Sequence, residues 1–187
     1  QNARRGHTAA NTERAAALIR RAGISLILQT MAGLPGDTRE IVRYTAQRIA
    51  ALKPDGVRIY PVAVLPNTPL YDDWQAGRYQ PLDVETAAVW CADMLEIFER
   101  EHIPVIRVGL NPTEELDSTV VAGAYHPAMG ELAYGELWYR RLCRHIQMTG
   151  ERTIAVAPRE LSRAIGHKKR NLLRLRERFG AVHIVAQ

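Results

Sequence analysis

The chain has 187 residues, 47% of them hydrophobic, which is enough to build a packed core and excludes a largely disordered protein. No apolar run approaches the roughly 20 residues of a membrane-spanning helix, and segment 1–12 lacks the apolar centre of a signal peptide. We therefore expect a soluble, cytoplasmic protein without a membrane partner. Cys91 and Cys143 lack a Cys-x-x-Cys spacing, which favours two buried, reduced thiols over a disulfide or a metal site.

The net charge of +5 is concentrated near the C-terminus. Residues 151–187 contain nine Lys or Arg against three Glu, whereas the rest of the chain has 16 basic and 17 acidic residues. A basic tail on a nearly neutral body indicates a polyanionic partner for the tail.

Helices and strands alternate through most of the sequence. The pattern predicts helix 12–21, strand 24–29, helix 38–52, strand 57–65, an ordered loop 66–81, helix 83–101, strand 104–110 and helix 131–148. Short apolar strands alternating with amphipathic helices are typical of βαβ units around a parallel sheet. A complete (β/α)8 barrel needs about 250 residues, and the first helix has no strand before it. We therefore expect the chain to begin inside a larger α/β domain.

The glycine-rich segment 31–38 follows the first predicted strand, at the edge where α/β sheets bind ligands. Gly33 and Gly36 permit close backbone approach, while Asp37 and Thr38 can cap the next helix. Both a structural turn and a ligand-binding loop remain open.

Two further positions are candidates for a site. Tyr60 precedes Pro61, which removes a strand hydrogen bond and marks a bulge or a strand end. Tyr60 then points into a pocket or fills the core. His126 is a weak candidate for a catalytic acid, base or ligand because imidazole titrates near neutral pH, with a structural histidine as the alternative.

Five stretches, taken in order, resemble the C-terminal part of a radical S-adenosylmethionine (SAM) enzyme related to the Elongator catalytic subunit. They are 5–8 (RGHT), 29–38 (QTMAGLPGDT), 58–61 (RIYP), 68–71 (TPLY) with 77–79 (GRY), and 123–127 (GAYHP). The resemblance implies an α/β fold in which residues 1–110 form the C-terminal half of a partial (β/α) barrel. Residues 111–150 would form a C-terminal extension.

The resemblance also implies cofactors for the parent protein, namely SAM and a 4Fe-4S cluster that together generate a 5′-deoxyadenosyl radical. The residues implied to bind SAM are Gln29, Met31, Gly33, Leu34, Pro35, Gly36 and Tyr60. The family holds its cluster in a Cys-x-x-x-Cys-x-x-Cys loop, which neither cysteine here matches, and the cluster needs up to four thiolates. We therefore expect no metal site, no tightly bound cofactor and no activity in this chain without the N-terminal half of the barrel.

The basic tail, residues 151–187, predicts strand 153–157, helices 158–165 and 170–179, and strand 181–185. This order resembles the core of a KH domain, which holds nucleotide backbones with a Gly-x-x-Gly loop between two helices. Gly166 matches the first glycine, but Lys169 replaces the second. The residues implied to bind RNA are Gly166, His167, Lys168, Lys169, Arg170, Arg174 and Arg178. A solvated basic helix pair without a nucleic-acid role is the alternative.

The leading hypothesis is a fragment of a radical SAM enzyme that modifies RNA. We expect the substrate to be tRNA and the KH-like tail to deliver it. One alternative is a non-catalytic RNA-binding or assembly module. Another is a radical SAM enzyme that acts on a small molecule.

Overall fold

A computed structural model describes residues 6–187 of the chain. Residues 1–5, which include Arg5 of the 5–8 stretch, lie outside the described part. The helices are α1 (Ala9–Arg21), α2 (Arg39–Ala51), α3 (Pro69–Gln75), α4 (Val84–Arg100), α5 (Glu114–Thr119), α6 (Met129–Thr149), α7 (Leu161–Ile165) and α8 (Arg170–Phe179). The strands are β1 (Ile27–Ala32), β2 (Gly56–Pro61), β3 (Ala63–Val64), β4 (Val105–Val108), β5 (Ala122–Gly123), β6 (Thr153–Val156) and β7 (His183–Ala186). No helix within residues 6–187 is long and apolar enough to cross a bilayer.

The main sheet has the order β1-β2-β4, and both strand pairs are parallel. Thr38 and Asp83 begin the connecting helices α2 and α4 by accepting hydrogen bonds from the amides of Ile41 and Thr86, at 3.3 and 2.7 Å. Helices α2, α4 and α6 pack together and share one core with the sheet. These helices therefore form a single layer over one face of the sheet.

No described helix covers the middle of the other face of the sheet, which we call the open face. At its carboxyl edge Met31 packs against the cluster of Val62, Val64 and Tyr79. Because strand side chains alternate, residues such as Val57 and Ile59 enter the core below the helices while their neighbours point the other way. The side chains of the open face are exposed or half-buried, and Gly56 lies among them. Its residues are Ile27, Gln29, Met31, Gly56, Arg58, Tyr60, Ile106 and Arg107.

The segment after β2 differs from its sequence prediction. The predicted strand 57–65 is interrupted, because β2 ends at Pro61 and residues 63–64 turn away to pair antiparallel with β5. The segment 66–81, predicted as a loop, contains α3, which Thr68 caps and Pro69 begins. This helix has only seven residues, too few for an apolar repeat over several turns, and its Leu70, Tyr71 and Trp74 are partly buried against Val62, Val64 and Tyr79.

A fully buried carboxylate joins the three helices. The Asp93 side chain accepts hydrogen bonds from Arg39 Nε at 2.5 Å and from Arg140 Nη1 at 2.7 Å, and Arg43 Nη1 lies 3.4 Å away. Burial opposes ionisation of Asp93, but the hydrogen bonds from Arg39 and Arg140 outweigh it and lower its pKa. The ion network therefore connects α2, α4 and α6.

Residues 151–187 form a small lobe, the C-terminal lobe, with the predicted order of strand, two helices and strand. Its strands β6 and β7 pair in parallel, from Thr153↔His183 to Val156↔Ala186. The lobe packs on α6 through a second core, whose buried members are Leu142, Cys143, Ile146, Ile154, Val156, Ala164, Leu175 and Val182.

Candidate functional site

The open face is organised in three rows across the strands. The first row is apolar, because Ile27 and Ile106 close over Gly56, where a Cβ atom would lie 2.7 Å from Ile106 Cδ1. The third row pairs Met31 with Tyr60 at the carboxyl ends of the strands. The middle row is polar and consists of Gln29, Arg58 and Arg107, which are register partners. The sheet therefore brings the predicted residues Gln29, Met31 and Tyr60 to one surface.

Arg58 is the least satisfied polar side chain of this surface. Its Nε atom is buried and has no hydrogen-bond partner within residues 6–187. A buried donor without a partner destabilises the folded state by roughly 1–3 kcal/mol. The unpaired Nε therefore points to an acceptor that lies outside the described residues. Sequence reasoning noted Arg58 only as part of a motif, because the lack of a partner is visible only in three dimensions.

The glycine-rich loop 33–36 adjoins the open face, but its backbone is held by the protein itself. The amides of Gly33 and Leu34 donate to Asp37 Oδ2 at 3.1 and 2.9 Å. Burial raises the pKa of Asp37, against the opposing effect of these two bonds. Asp37 therefore closes the loop, and Thr38 alone caps α2. Any ligand at this loop has to contact groups other than these two amides.

Residues from the segment predicted as a loop complete this arrangement. The Tyr79 hydroxyl donates to the Gly33 carbonyl at 2.5 Å, and burial raises the pKa of Tyr79 to about 12. Gly33 has a φ of +92°, and a Cβ atom there would lie 2.9 Å from Leu82 Cδ1. Gly33 is therefore required by packing against Leu82 as well as by its backbone conformation.

The described residues are suited to SAM but not to an iron-sulfur cluster. SAM carries a carboxylate, a cationic sulfur and an aromatic base, and the open face offers arginine, glutamine and aromatic side chains next to a firm loop. A cluster does not fit, because no group of three His, Cys, Asp or Glu within residues 6–187 is placed to hold a metal ion. Cys91 and Cys143 are both buried, and burial raises the pKa of the Cys91 thiol to about 12.

Most arginines predicted to bind RNA contact the body of the protein instead. Arg170 forms two hydrogen bonds with Glu85, one of them at 2.6 Å, which raise the pKa of Arg170 and lower that of Glu85. Arg174 donates to Glu136 at 2.8 Å and stacks 3.5 Å from the Tyr139 ring. These contacts join α8 to α4 and α6.

The remaining predicted residues lie around the turn between α7 and α8. Gly166 is buried against Asn171, His167 Nδ1 lies 3.1 Å from Glu131 Oε2, and Arg178 Nη1 lies 3.8 Å from Cys143 Sγ. The side chains of Lys168 and Lys169 are exposed and form no hydrogen bond or ion pair in the described part of the chain. Arg178 also lacks a carboxylate partner, but it contacts Cys143 and Tyr139, so Lys168 and Lys169 are the predicted RNA contacts whose charged side chains form no such contact with another described residue.

The turn departs from the Gly-x-x-Gly pattern in sequence, yet its backbone adopts left-handed φ angles at two positions. Lys168 and Lys169 have φ angles of 50° and 62°, in the left-handed region that favours glycine. Lys169 stands where the pattern has its second glycine. The backbone strain at this turn is therefore borne by two lysines.

His126 has a structural contact at the start of α6. Its Nδ1 accepts a hydrogen bond from the Ala128 amide at 3.0 Å, which places the proton of the neutral ring on Nε2. The ring lies 6.0 Å from that of His167 in an edge-to-face arrangement. The second histidine is far away in sequence, so spacing could not have predicted this pair.

Comparisons with known proteins show what this chain is similar to. The radical SAM C-terminal domain matches residues 54–139. The tRNA uridine(34) acetyltransferase of Methanocaldococcus jannaschii is 36% identical over 137 residues, which are 70% of this chain and 24% of that protein. Elongator complex protein 3 of Bos taurus is 28% identical over 136 residues, again 24% of its length. The chain thus spans about a quarter of these curated relatives.

A solved structure shows the same fold. Elp3 of Methanocaldococcus infernus, with residues 1–46 deleted, superposes with a TM-score of 0.59 at 24% identity, covering 79% of this chain and 32% of that one. Together these similarities confirm the predicted resemblance: residues 54–139 match the radical SAM C-terminal domain, and the chain is similar to proteins of the Elongator catalytic subunit type.

Proposed function

We propose that this chain is the C-terminal part of a cytoplasmic radical SAM enzyme that modifies tRNA. In this proposal the main sheet is part of a partial (β/α) barrel, and the C-terminal lobe is a KH-like module that delivers RNA. Support comes from the placement of Gln29, Met31 and Tyr60 on one open sheet face next to loop 33–36, which carries the proposal. The names of the related tRNA uridine(34) acetyltransferases support tRNA as the substrate.

The open face would hold SAM, which when bound supplies the group that abstracts hydrogen from a substrate. Met31 and Tyr60 would contact its apolar parts, and Gln29 its polar groups. The loop of Gly33, Leu34, Pro35 and Gly36 would form a wall whose position Asp37 and Tyr79 maintain. The iron-sulfur cluster does not fit the described residues, so its ligands would come from another segment.

The N-terminal half of the barrel is the proposed partner of the sheet. In the described part of the chain β1 pairs only with β2, so its other edge offers free backbone donors and acceptors. A cavity of about 380 Å³ lies along this edge, between α1, β1 and α2. Tyr44 lines this cavity and is 59% exposed, and Leu18 on α1 and Ile41 on α2 are 64% and 44% exposed. A preceding strand and helix would cover both the edge and these side chains.

Lys168 and Lys169 are the proposed RNA contacts, because their charges are unpaired. Titration of the chain with labelled tRNA at about 50 and 200 mM salt tests this role, since phosphate contacts lose affinity steeply with salt. We expect Lys168→Ala with Lys169→Ala to weaken binding and reduce its salt dependence. Arg21→Ala with Arg100→Ala removes the same charge from exposed positions of the body and should leave binding nearly unchanged. Equal effects of the two double variants would contradict the proposal.

A non-catalytic RNA-binding or assembly module is the second candidate, favoured by the lack of cluster ligands within residues 6–187. Equilibrium dialysis with labelled SAM separates the two, using this chain co-expressed with a cluster-bearing N-terminal half. SAM binding that Tyr60→Ala weakens supports the enzyme. Binding of tRNA without SAM binding supports the module, and SAM binding without tRNA binding supports a small-molecule substrate.

A further inference from the structure

Two arginines lie side by side in the middle of the open face. Arg58 on β2 and Arg107 on β4 are register partners, and adjacent strands are about 4.8 Å apart. Val108 packs toward the helices, so alternation places Arg107 on the open face with Arg58. Gln29 on β1 continues the same row. The row therefore presents two guanidinium groups and one amide to the same space.

No carboxylate balances this pair of charges. Strands β1, β2 and β4 contain no Asp or Glu, and neither arginine forms an ion pair within residues 6–187. Arg107 Nη1 donates to the neutral Asn111 side chain at 2.7 Å, which leaves its charge uncompensated. Two adjacent like charges repel each other, and an anion between them would remove that repulsion.

The unmatched Nε of Arg58 points to the same class of ligand. Arginine binds carboxylate and phosphate through paired N–H groups, and Nε is half of one such pair. In the present conformation Nε is covered and has no partner. An oxyanion on the open face would give it a partner once the half-exposed side chain turns outward.

We propose that Gln29, Arg58 and Arg107 form an oxyanion-binding site for a carboxylate or phosphate group. The rows on either side define the rest of the ligand. Ile27 and Ile106 provide an apolar floor on one side, and Met31 and Tyr60 lie on the other. The site thus suits an anionic group attached to a flat or apolar body. The inference needs neither the proposed cofactor nor tRNA, because it depends only on the charges of the sheet.

Inorganic pyrophosphate is the probe for the site, titrated into the 187-residue chain and followed by amide NMR shifts and calorimetry. We expect saturable binding with shifts in β1, β2 and β4, weakened at least tenfold by Arg58→Met and by Arg107→Met. Arg159→Met, at an exposed position of the C-terminal lobe, is the matched control and should leave binding unchanged. Arg58→Lys keeps the charge without the paired N–H groups and should retain an intermediate affinity. An unchanged melting temperature verifies that each variant is folded.

Two further titrations identify the source of the anion. S-adenosylhomocysteine is compared with its methyl ester, which lacks the carboxylate, and a single-stranded RNA trinucleotide is tested separately. Loss of affinity in Arg58→Met for the acid but not for the ester assigns a small-molecule carboxylate. Loss for the trinucleotide assigns an RNA phosphate. No pyrophosphate binding, or equal weakening by Arg159→Met, would overturn the inference, while failure of tRNA or SAM binding alone would overturn only the proposed function.

Discussion

The arginines of the C-terminal lobe and those of the open face differ in what surrounds them. In the lobe, Arg170 and Arg174 are paired with Glu85 and Glu136 of the body. On the open face, Arg58 and Arg107 have no carboxylate partner in the described part of the chain. Two arginines in the region with the higher net charge are therefore already paired, whereas two arginines in a nearly neutral region have no carboxylate partner.

This difference teaches that charge counted along a sequence is not charge available to a ligand. An arginine already paired with a carboxylate must break that pair before it binds a phosphate, whereas an unpaired arginine gains a partner at once. The basic tail is therefore partly a docking surface for the body. Among the predicted RNA contacts, Lys168 and Lys169 at the exposed turn and Arg178 on α8 have no carboxylate partner in the described part of the chain.

The largest expected effect comes from removing the carboxylate that unites the body. Asp93→Ala removes the carboxylate that Arg39 and Arg140 share, while Arg140 keeps its pair with Glu136, so we expect a loss of about 3 kcal/mol in the free energy of unfolding. Urea denaturation of the wild-type chain and the variant measures this free-energy difference. Glu101→Ala, which breaks only the exposed pair with Arg100, should change it by less than about 0.5 kcal/mol. A small effect at Asp93 would show that the network is not required for the body.

The pKa of Asp93 gives this prediction a pH dependence. Its folded-state pKa is lowered, so the stabilisation is present above the unfolded-state value of about 3.9 and is lost as pH falls through the folded value. We expect the wild-type chain to lose more stability than Asp93→Asn below about pH 4.

Attachment of the lobe is tested next. Asn171 is buried, and its Nδ2 donates to the carbonyls of Gly135 and Ala164 at 2.7 and 3.2 Å. Asn171→Ala leaves these acceptors unmatched and should cost about 2–3 kcal/mol. Hydrogen exchange should become faster in α7 and α8 while the main sheet stays protected. Glu177→Ala, exposed on α8, is the control, and uniform loss of protection would contradict a separable lobe.

The loop beside the open face has a smaller expected effect. Tyr79→Phe leaves the Gly33 carbonyl without its donor and should reduce stability by about 1–1.5 kcal/mol. Because the pKa of Tyr79 is raised to about 12, its contribution is present below the unfolded value of about 10 and is lost as pH rises through 12. Denaturation between about pH 10 and 12 should therefore show a steeper decline for the wild-type chain than for the variant. Parallel curves would contradict a neutral, buried hydroxyl.

The smallest effect is a gain in stability. Lys169→Gly removes a side chain from a left-handed position and should stabilise the chain by about 0.5–1 kcal/mol, seen as a higher melting temperature. Lys169→Ala removes the same charge but keeps a Cβ atom, so it should give no such gain. If tRNA binding persists in Lys169→Gly, the backbone of the turn rather than this charge makes the contact.

The sequence by itself determined the local structure of most elements. Apolar periodicity and the capping residues Thr38 and Asp83 placed α2 and α4 within one or two residues, because both signals lie within a single turn of helix. Five ordered stretches determined the relationship to Elongator-type proteins, and Pro61 correctly marked the end of a strand. The predicted barrel and KH-like architectures, and the RNA-binding residues, remain predictions.

Only the tertiary structure decided which side chains are free. The partners of Arg170 and Asn171 are 85 and 36 residues away in the sequence, and no spacing rule connects such distant positions. The same holds for Tyr79, whose hydroxyl donates to the carbonyl of Gly33, 46 residues away. Burial and ion pairing depend on neighbours in space. Only the register of β1, β2 and β4 therefore shows that Gln29, Arg58 and Arg107 lie side by side on the open face.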